Sequence, residues 1–405
     1  MDGPIISIDI SKDNSHMQGF ESINKKFTKV IKFNHDKEGL ETLLSIHSSM
    51  EAAFNQKVPV IFEATGVYDS VISKFLHDND ITHYKISPLR AAKFRQTELH
   101  ANKTDKLDPK HIARVYYNTE KDLYEKEVKD PLYQNLLTLS RNYESYMIQF
   151  RQSKVRFNNF LDELFPMFKA KLGKSVDVYI EVIMELLKKY PHPELMAKAD
   201  EKHTIKLTKK VKHRKGYVEN KIRKLKEISL TMYSAIDIND KVYREQFIMV
   251  IEDIQRIDQI LNNLLEQMIA LAKQTPYFES VESIVGVGEN LAARIIAEIG
   301  DISKIESKKQ LASLAGLDPM IRESGQVDGK GLSITKKGNK YLRCLLYTAA
   351  MCNYRLKKGD PIYLFNAKKR QQDKPLKNKQ AHIAAAHKLL AVIYGMCNNG
   401  TLYSY

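Results

Sequence analysis

Cysteine is scarce in this chain: Cys344, Cys352 and Cys397 are the only three among 405 residues. They share no CxxC spacing and fall in apolar C-terminal stretches, which excludes a disulfide framework or a cysteine zinc site and suits reduced core thiols. Long hydrophobic runs are also missing. No stretch approaches the roughly 20 uninterrupted apolar residues that span a bilayer, so an integral membrane protein is excluded. The opening Met1-Asp2-Gly3-Pro4 has no basic segment ahead of an apolar one, so it reads as the approach to a first strand rather than a signal peptide, and the expected location is the cytoplasm. Nor is there a phosphate loop for a nucleotide. Gly325 with Gly329-Lys330 is one residue short of the spacing and has Gly331 in place of Ser or Thr, and Gly173-Lys174-Ser175 has Phe168 where the first Gly belongs. No nucleotide cofactor is expected.

Acidic residues are in deficit, 49 against 64 Lys and Arg, for a net charge of +15. The excess is concentrated: from Lys202 to Lys226 eleven basic residues, among them Lys209, Lys210, Lys212, Arg214 and Lys215, face only Glu219. Such a run contacts polyanions by releasing condensed counterions, or else forms a solvated basic helix. With 43% hydrophobic residues the chain has ample material for packed cores, and its length suits two or three domains.

The first ~125 residues alternate strand and helix patterns as an α/β domain does. Strands are expected at Ile5 to Ile10, Phe27 to Phe33, Val58 to Phe62 and Ile81 to Ile86, with a helix over Val67 to His77. That order is the one expected of an RNase H-like layer. Residues 126–275 turn helical. One heptad seam runs from Leu132 through Leu136, Leu139, Tyr143, Tyr146, Phe150, Ser153, Phe157 and Phe160 to Leu164, and a second from Val250 to Leu271. The two helices either pair as an antiparallel hairpin or each meets its copy in another subunit; the pattern fits both. Residues 276–405 read as a third, mostly helical domain with glycine turns.

Four carboxylates carry the clearest chemistry. Asp9 stands at the end of the first strand and Glu63 ends a strand apolar on both faces, so a parallel sheet would put both at its carboxyl edge. Asp105 and Asp108 are three apart near a helix start, where Pro109 suits the first helical position. Gathered acids supply hard oxygen ligands for Mg²⁺ or Mn²⁺, and two such ions stabilise the entering and leaving oxygens of a phosphoryl displacement. Taken singly, each acid is better read as a cap, a turn contact or a solvated side chain.

Two C-terminal stretches add to this. Ser283-Ile284-Val285-Gly286-Val287-Gly288 reads as a helix-hairpin-helix whose glycines let backbone amides approach a DNA phosphate, or simply as a turn between packed helices. Ser324 lies in a loop ringed in sequence by Arg322, Lys330, Lys336, Lys337 and Arg343. A hydroxyl among phosphate-binding cations is a candidate nucleophile, though an isolated loop serine is more often a turn former. His382 and His387, five apart, miss the spacing of a helical metal pair and read as ordinary helix residues.

Taken in order, Ile8-Asp9-Ile10, Phe62-Glu63-Ala64-Thr65-Gly66, Asn102-Lys103-Thr104-Asp105 with Asp108, the Gly286 turn, Ala315-Gly316-Leu317-Asp318-Pro319, Glu323-Ser324-Gly325 and Lys337-Gly338-Asn339 with Leu342-Arg343 resemble the insertion sequence one-ten, or DEDD, transposases and their relatives, the Piv and MooV DNA invertases. The resemblance implies a RuvC-like N-terminal domain whose Asp9, Glu63, Asp105 and Asp108 hold Mg²⁺, and a C-terminal domain whose serine, best matched by Ser324, attacks DNA phosphate. It further implies DNA as substrate, a noncoding bridge RNA as guide, a homo-oligomer and association with the nucleoid during activity. Pro109 departs from the small residue usual after the last aspartate. Two other functions compete: a RuvC-like structure-selective nuclease that needs the acids but not Ser324, and a non-catalytic nucleic-acid-binding regulator.

Overall fold

In the computed structural model of the protein, the described residues are 3–64, 66–86, 94, 109–118, 130–173, 176–200, 204, 216–320, 333–356 and 359–405. The chain divides into two compact units, Met1–Asp130 and Pro131–Tyr405. No helix of the described residues is long and apolar enough to cross a membrane.

The first unit is built on a six-stranded sheet: β1 (Ile5–Ile10), β2 (Asn14–Ser22), β3 (Lys25–Lys26), β4 (Ile31–Asn34), β5 (Val60–Glu63) and β6 (His83–Ile86). β1 pairs antiparallel with β2 and parallel with β5, and β5 pairs parallel with β6. Side chains alternate across a strand, so β1 feeds two cores. Ile6, Ile8 and Ile10 join Val60 and Phe62 beneath α1 (Lys37–Phe54) and α2 (Ser70–Asp78), which contribute Leu43, Met50, Ile72 and Leu76. On the other face Ile5, Ile61 and Ile86 pack with Ile112, Val115 and Tyr116 of α3 (Pro109–Asn118). With Pro109 as its first residue, α3 has the fixed φ of proline where no intrahelical N–H is needed.

The strand expected over Phe27 to Phe33 is shorter and displaced. The amides of Phe27 and Thr28 both donate to the Gly19 carbonyl, and the Thr28 hydroxyl accepts from the Gly19 amide, so the chain turns there and pairs again only at Ile31. The Val67 to His77 helix begins at Ser70, and the last strand at His83.

The second unit is dominated by α4 (Pro131–Leu164) and α9 (Lys241–Ala272). At 1.5 Å per residue each is about 50 Å long. They pair within one chain as an antiparallel hairpin, which decides between the two arrangements that the heptads allowed. At one end Leu136 shares a core with Met268 and Ala272; at the other Phe157 stacks on Phe247, ring centroids 5.5 Å apart. Around the second end pack α5 (Phe168–Leu172), α6 (Glu181–Lys189), α7 (Pro193–Ala197) and α8 (Tyr217–Ser229), closing a separate core. The first end is continuous with the C-terminal helices α10 (Phe278–Glu282), α11 (Glu289–Ile299), α12 (Lys308–Ala315), α13 (Lys340–Leu356), α14 (Pro361–Gln371) and α15 (Asn378–Asn399).

Candidate functional site

The register of β1 and β5 pairs Ile6 with Val60, Ser7 with Ile61 and Ile8 with Phe62. Asp9 and Glu63 are the next residues on each strand, so they stand side by side at the carboxyl edge. Ile8 and Phe62 both point into the α1–α2 core, and alternation therefore turns Asp9 and Glu63 to the α3 face. Glu63 is buried and Asp9 half-buried. On that face the Ser7 hydroxyl, two residues before Asp9, donates to the Pro109 carbonyl at 2.7 Å. The start of α3 is thus fastened beside the acid pair. Tyr116 of α3 lies near Tyr84 there, and burial, then the Tyr84 phenol, raise its pKa, so it stays a neutral phenol.

Two neighbours complete this edge. His16 of β2 stands directly opposite Asp9. Sequence reading passed over it because β2 itself was not recognised; with that strand assigned, its pairing across β1 would have found the histidine. On the opposite face Lys85 pairs with the Asp69 carboxylate at 2.9 Å and lies over the Phe62 ring, which pins the chain just beyond Glu63.

Hard carboxylate oxygens side by side fit a hard divalent cation. Among the described residues no three His, Cys, Asp or Glu side chains gather in a way that could hold a metal ion. Asp105 and Asp108, the other half of the expected set, lie outside the described residues.

In the second unit the serine segment is defined by its ends. Pro319 bridges to Ile334, the Met320 amide donates to the Ser333 carbonyl at 2.9 Å, and the Thr335 amide to the Asp318 carbonyl at 2.9 Å. The Thr335 hydroxyl donates to the Asp318 carboxylate at 2.7 Å. Between these paired ends run residues 321–332, which include Arg322, Ser324 and Lys330 and lie outside the described residues. Lys336, with a left-handed φ of 57°, and Lys337 are exposed beside the paired ends.

The base of the segment is locked by side chains. Gly316 and Gly338 are packed so closely that a side chain on Gly338 would meet the backbone of Leu314 and Gly316. Arg343 donates to the Ala315 carbonyl at 2.8 Å, so one of its guanidinium nitrogens is engaged inside the fold rather than held out to a phosphate. Asn339 caps α13 through the Tyr341 and Leu342 amides and donates to the Glu298 carboxylate at 2.6 Å. Glu298 also accepts from the Ser140 hydroxyl at 2.6 Å and from Arg141 at 2.9 Å, both on α4. Sequence reading missed Glu298, whose neighbours on α11 are apolar; a lone acid in such a run is the signal that would have found it.

The glycines of the expected hairpin differ. Gly286 has φ 89°, and a Cβ there would lie 2.6 Å from the Asn353 nitrogen, so its place is a close contact with α13. Gly288, with open space around it, precedes the first turn of α11. Of the central basic run, Lys209, Lys210, Lys212, Arg214 and Lys215 lie outside the described residues. Its far end is α8, which buries Ile222 and Leu225 and ties Lys224 to the Leu172 carbonyl at 2.7 Å.

Two family models match the chain, one of DEDD-type IS110 transposases over residues 6–166 and one described as the transposase IS116/IS110/IS902 family over residues 279–363. The chain is 23% identical over 305 residues to the insertion element IS110 uncharacterized 43.6 kDa protein of Streptomyces coelicolor, covering 74% of this chain and 72% of the relative. It is 31% identical over 193 residues to the pilin gene-inverting protein of Moraxella lacunata, covering 47% of this chain and 56% of that protein. With the transposase for insertion sequence element IS1111A of Coxiella burnetii it shares 36% identity over 93 residues, 23% of this chain and 25% of the relative. The chain thus spans about half of the Moraxella protein and a quarter of the Coxiella one.

Proposed function

Because the chain belongs to the IS110 family of transposases, we propose that it is a DNA recombinase that cuts and rejoins strands to move an insertion sequence, using the acids of its first unit and Ser324 of its second. The observation that carries this reading is the register that sets Asp9 beside Glu63 on the face where α3 begins. Asp108 is covalently joined to Pro109, the residue fastened to Ser7, and Asp105 is three residues further back, which supports a four-acid set in an RNase H-like, RuvC-type domain.

In this reading Asp9, Glu63, Asp105 and Asp108 are the ligands for Mg²⁺, with Mn²⁺ as a substitute. The bound ion supplies positive charge against the phosphate oxygens of the scissile group. Ser324 attacks phosphorus through its hydroxyl oxygen, the 3′ oxygen leaves with a proton, and a 5′-phosphoserine ester forms. A 3′ hydroxyl of the partner strand then attacks that ester and returns the proton to serine. One phosphoester bond is made for each one broken, so the exchange needs no nucleotide cofactor. The exposed Lys336 and Lys337, with Arg322 and Lys330, are the cations assigned to DNA phosphate, together with the amides at Gly286 and Gly288 read as a helix-hairpin-helix. The basic residues of 202–226 are assigned to a noncoding bridge RNA, and the working form is a homo-oligomer on the nucleoid.

The reading is tested on a plasmid that carries the gene with its own flanking DNA, by scoring strand cleavage and rejoining. Asp9→Asn and Glu63→Gln are each expected to lower cleavage about 10³-fold, the equivalent of several kcal/mol of transition-state stabilisation. Undiminished recombination in both variants would overturn the catalytic role of the acids. Cleavage that survives Ser324→Ala would favour a structure-selective nuclease instead. Sequencing the RNA that co-purifies with the protein from its host tests guidance: a single defined noncoding species is expected, and a random sample of cellular RNA would contradict it.

A further inference from the structure

The turn between α14 and α15 concentrates charge that neither the acid face nor the serine segment uses. From Lys368 to Lys379 six basic residues, Lys368, Lys369, Arg370, Lys374, Lys377 and Lys379, stand against one acid, Asp373. Lys368, Lys374, Lys377 and Lys379 are exposed. Lys368 lies in the last turn of α14, where a cation complements the macrodipole. Lys377 and Lys379 do the reverse: they stand at the start of α15, whose first turn has no acid, so the helix gains nothing from their charge. Folding stability therefore does not account for the placement of these lysines, whereas a polyanion laid across the turn would.

The turn is also rigid. Arg370 donates through Nε to Asn366 at 2.9 Å, reaches Asn378 with Nη1, contacts His382 Nε2 at 3.1 Å and lies over the Tyr354 ring at 4.2 Å. It acts as a strut between α14, α15 and α13. The connecting backbone is held as well: the Leu376 amide donates to the Lys369 carbonyl at 2.9 Å, and the Lys377 amide to the Gln380 side chain at 3.0 Å. The positive field reaches inward, since burial first, then Arg370 and Arg355, hold the His382 pKa below its ordinary value. The cations are thus presented on a fixed platform rather than on a solvated tail, and little ordering entropy remains to be lost on binding.

We propose that the α14–α15 turn, through Lys368, Lys374, Lys377 and Lys379, binds the phosphodiester backbone of a nucleic acid without reading its sequence. This goes beyond the acid and serine chemistry and does not rest on it. Either DNA or RNA could supply that backbone.

The test compares the full-length protein with Lys374→Ala/Lys377→Ala/Lys379→Ala, titrating fluorescent duplex DNA of arbitrary sequence and single-stranded RNA at several salt concentrations with a chelator present. With chelator, loss of the cutting chemistry and loss of this grip are read separately. Loss of three phosphate contacts lowers the slope of log affinity against log salt by about 2.7 for duplex DNA, so that the affinity lost between 50 and 200 mM salt shrinks about 40-fold. For single-stranded RNA the expected fall is about 2.1. A fall with one polymer only identifies that polymer as the ligand, and a fall with both identifies the shared backbone. The control Lys26→Ala/Lys29→Ala/Lys32→Ala removes equal charge from exposed positions of the first unit. Unchanged slopes in the turn variant, or an equal fall in the control, would overturn the proposal. Circular dichroism of the turn variant is expected to match the parent; should it not, Lys374→Gln/Lys379→Gln, which removes the charge but keeps a polar side chain with part of the stem, is measured the same way against a fall of about 1.8 for duplex DNA.

Discussion

Asp9 and Glu63 in the first unit are brought together by backbone pairing alone, whereas the serine segment in the second, whose ends also pair through the backbone, has its base locked by side chains that meet from α4, α11 and α13. Both places contain a buried glutamate, and the two differ in what surrounds it. Glu298 is saturated, with its carboxylate shared among Ser140, Arg141 and Asn339, and its side chain has no exposure. Glu63 lies at a strand end beside a second acid at the sheet edge. A carboxylate enclosed by donors fastens a fold; two carboxylates side by side at a sheet edge present hard oxygens to a common cation. The difference teaches that burial of an acid does not by itself mark a reaction centre.

This contrast can be broken by mutation. Glu298→Ala leaves the Ser140 hydroxyl without this acceptor and Asn339 with only its longer bond to the Glu298 carbonyl, and the half-exposed Arg141 contributes less because solvent screens it. The expected loss is about 2 to 4 kcal/mol, read from urea unfolding. Asp9→Asn keeps the size of a half-buried side chain and is expected to cost less stability than Glu298→Ala while removing cleavage. If the two substitutions destabilised equally, the distinction between a fastening acid and a reaction-centre acid would fail.

The glycines at the α10–α11 turn sharpen it within one motif. Gly286→Ala must adopt φ 89° and places a methyl group against the α13 backbone, with an expected cost of about 2 to 4 kcal/mol. Gly288→Ala meets open space and is expected to cost less than about 1 kcal/mol. Thermal unfolding of the pair measures the difference, and equal melting temperatures would contradict the close contact at Asn353.

A smaller effect separates the units themselves, because every cysteine lies in the second. Burial pushes the Cys397 thiol up to about 12, while Cys344 is exposed. The thiolate is the reactive form, so at pH 8 about one Cys397 in 10⁴ is ionised in the fold. Iodoacetamide under native conditions is expected to alkylate Cys344 well before Cys397, and peptide mapping reads the order. Equal rates would show that the last helix opens readily.

The adjacency of Asp9 and Glu63 was legible because it depends on local pattern. An apolar run ending in Glu63 and a β-rich run reaching Asp9 define two strands, and parity then turns both acids to one face. β2 was not legible: Ser15, Gln18 and Gly19 look like turn residues, yet all three are accommodated by cross-strand and helix contacts that no local pattern reveals. The heptads gave both helices of the hairpin but not their pairing, since an apolar seam meets its own chain or another equally well. The close contact at Gly286 was not legible for the same reason. Its closest neighbour, Asn353, is 67 residues away, and only the fold brings it near. Nor does any local pattern reveal the hydrogen bond from Arg343 to the Ala315 carbonyl.

In the proposed reaction Ser324 becomes covalently joined to DNA. The protein is incubated with Mg²⁺ and a plasmid that carries the gene with its own flanks, then denatured, digested and analysed by mass spectrometry. A nucleotide adduct on the peptide containing Ser324, absent from Ser324→Ala and from Asp9→Asn, is the predicted result. Efficient strand cleavage with no adduct on that peptide would contradict it.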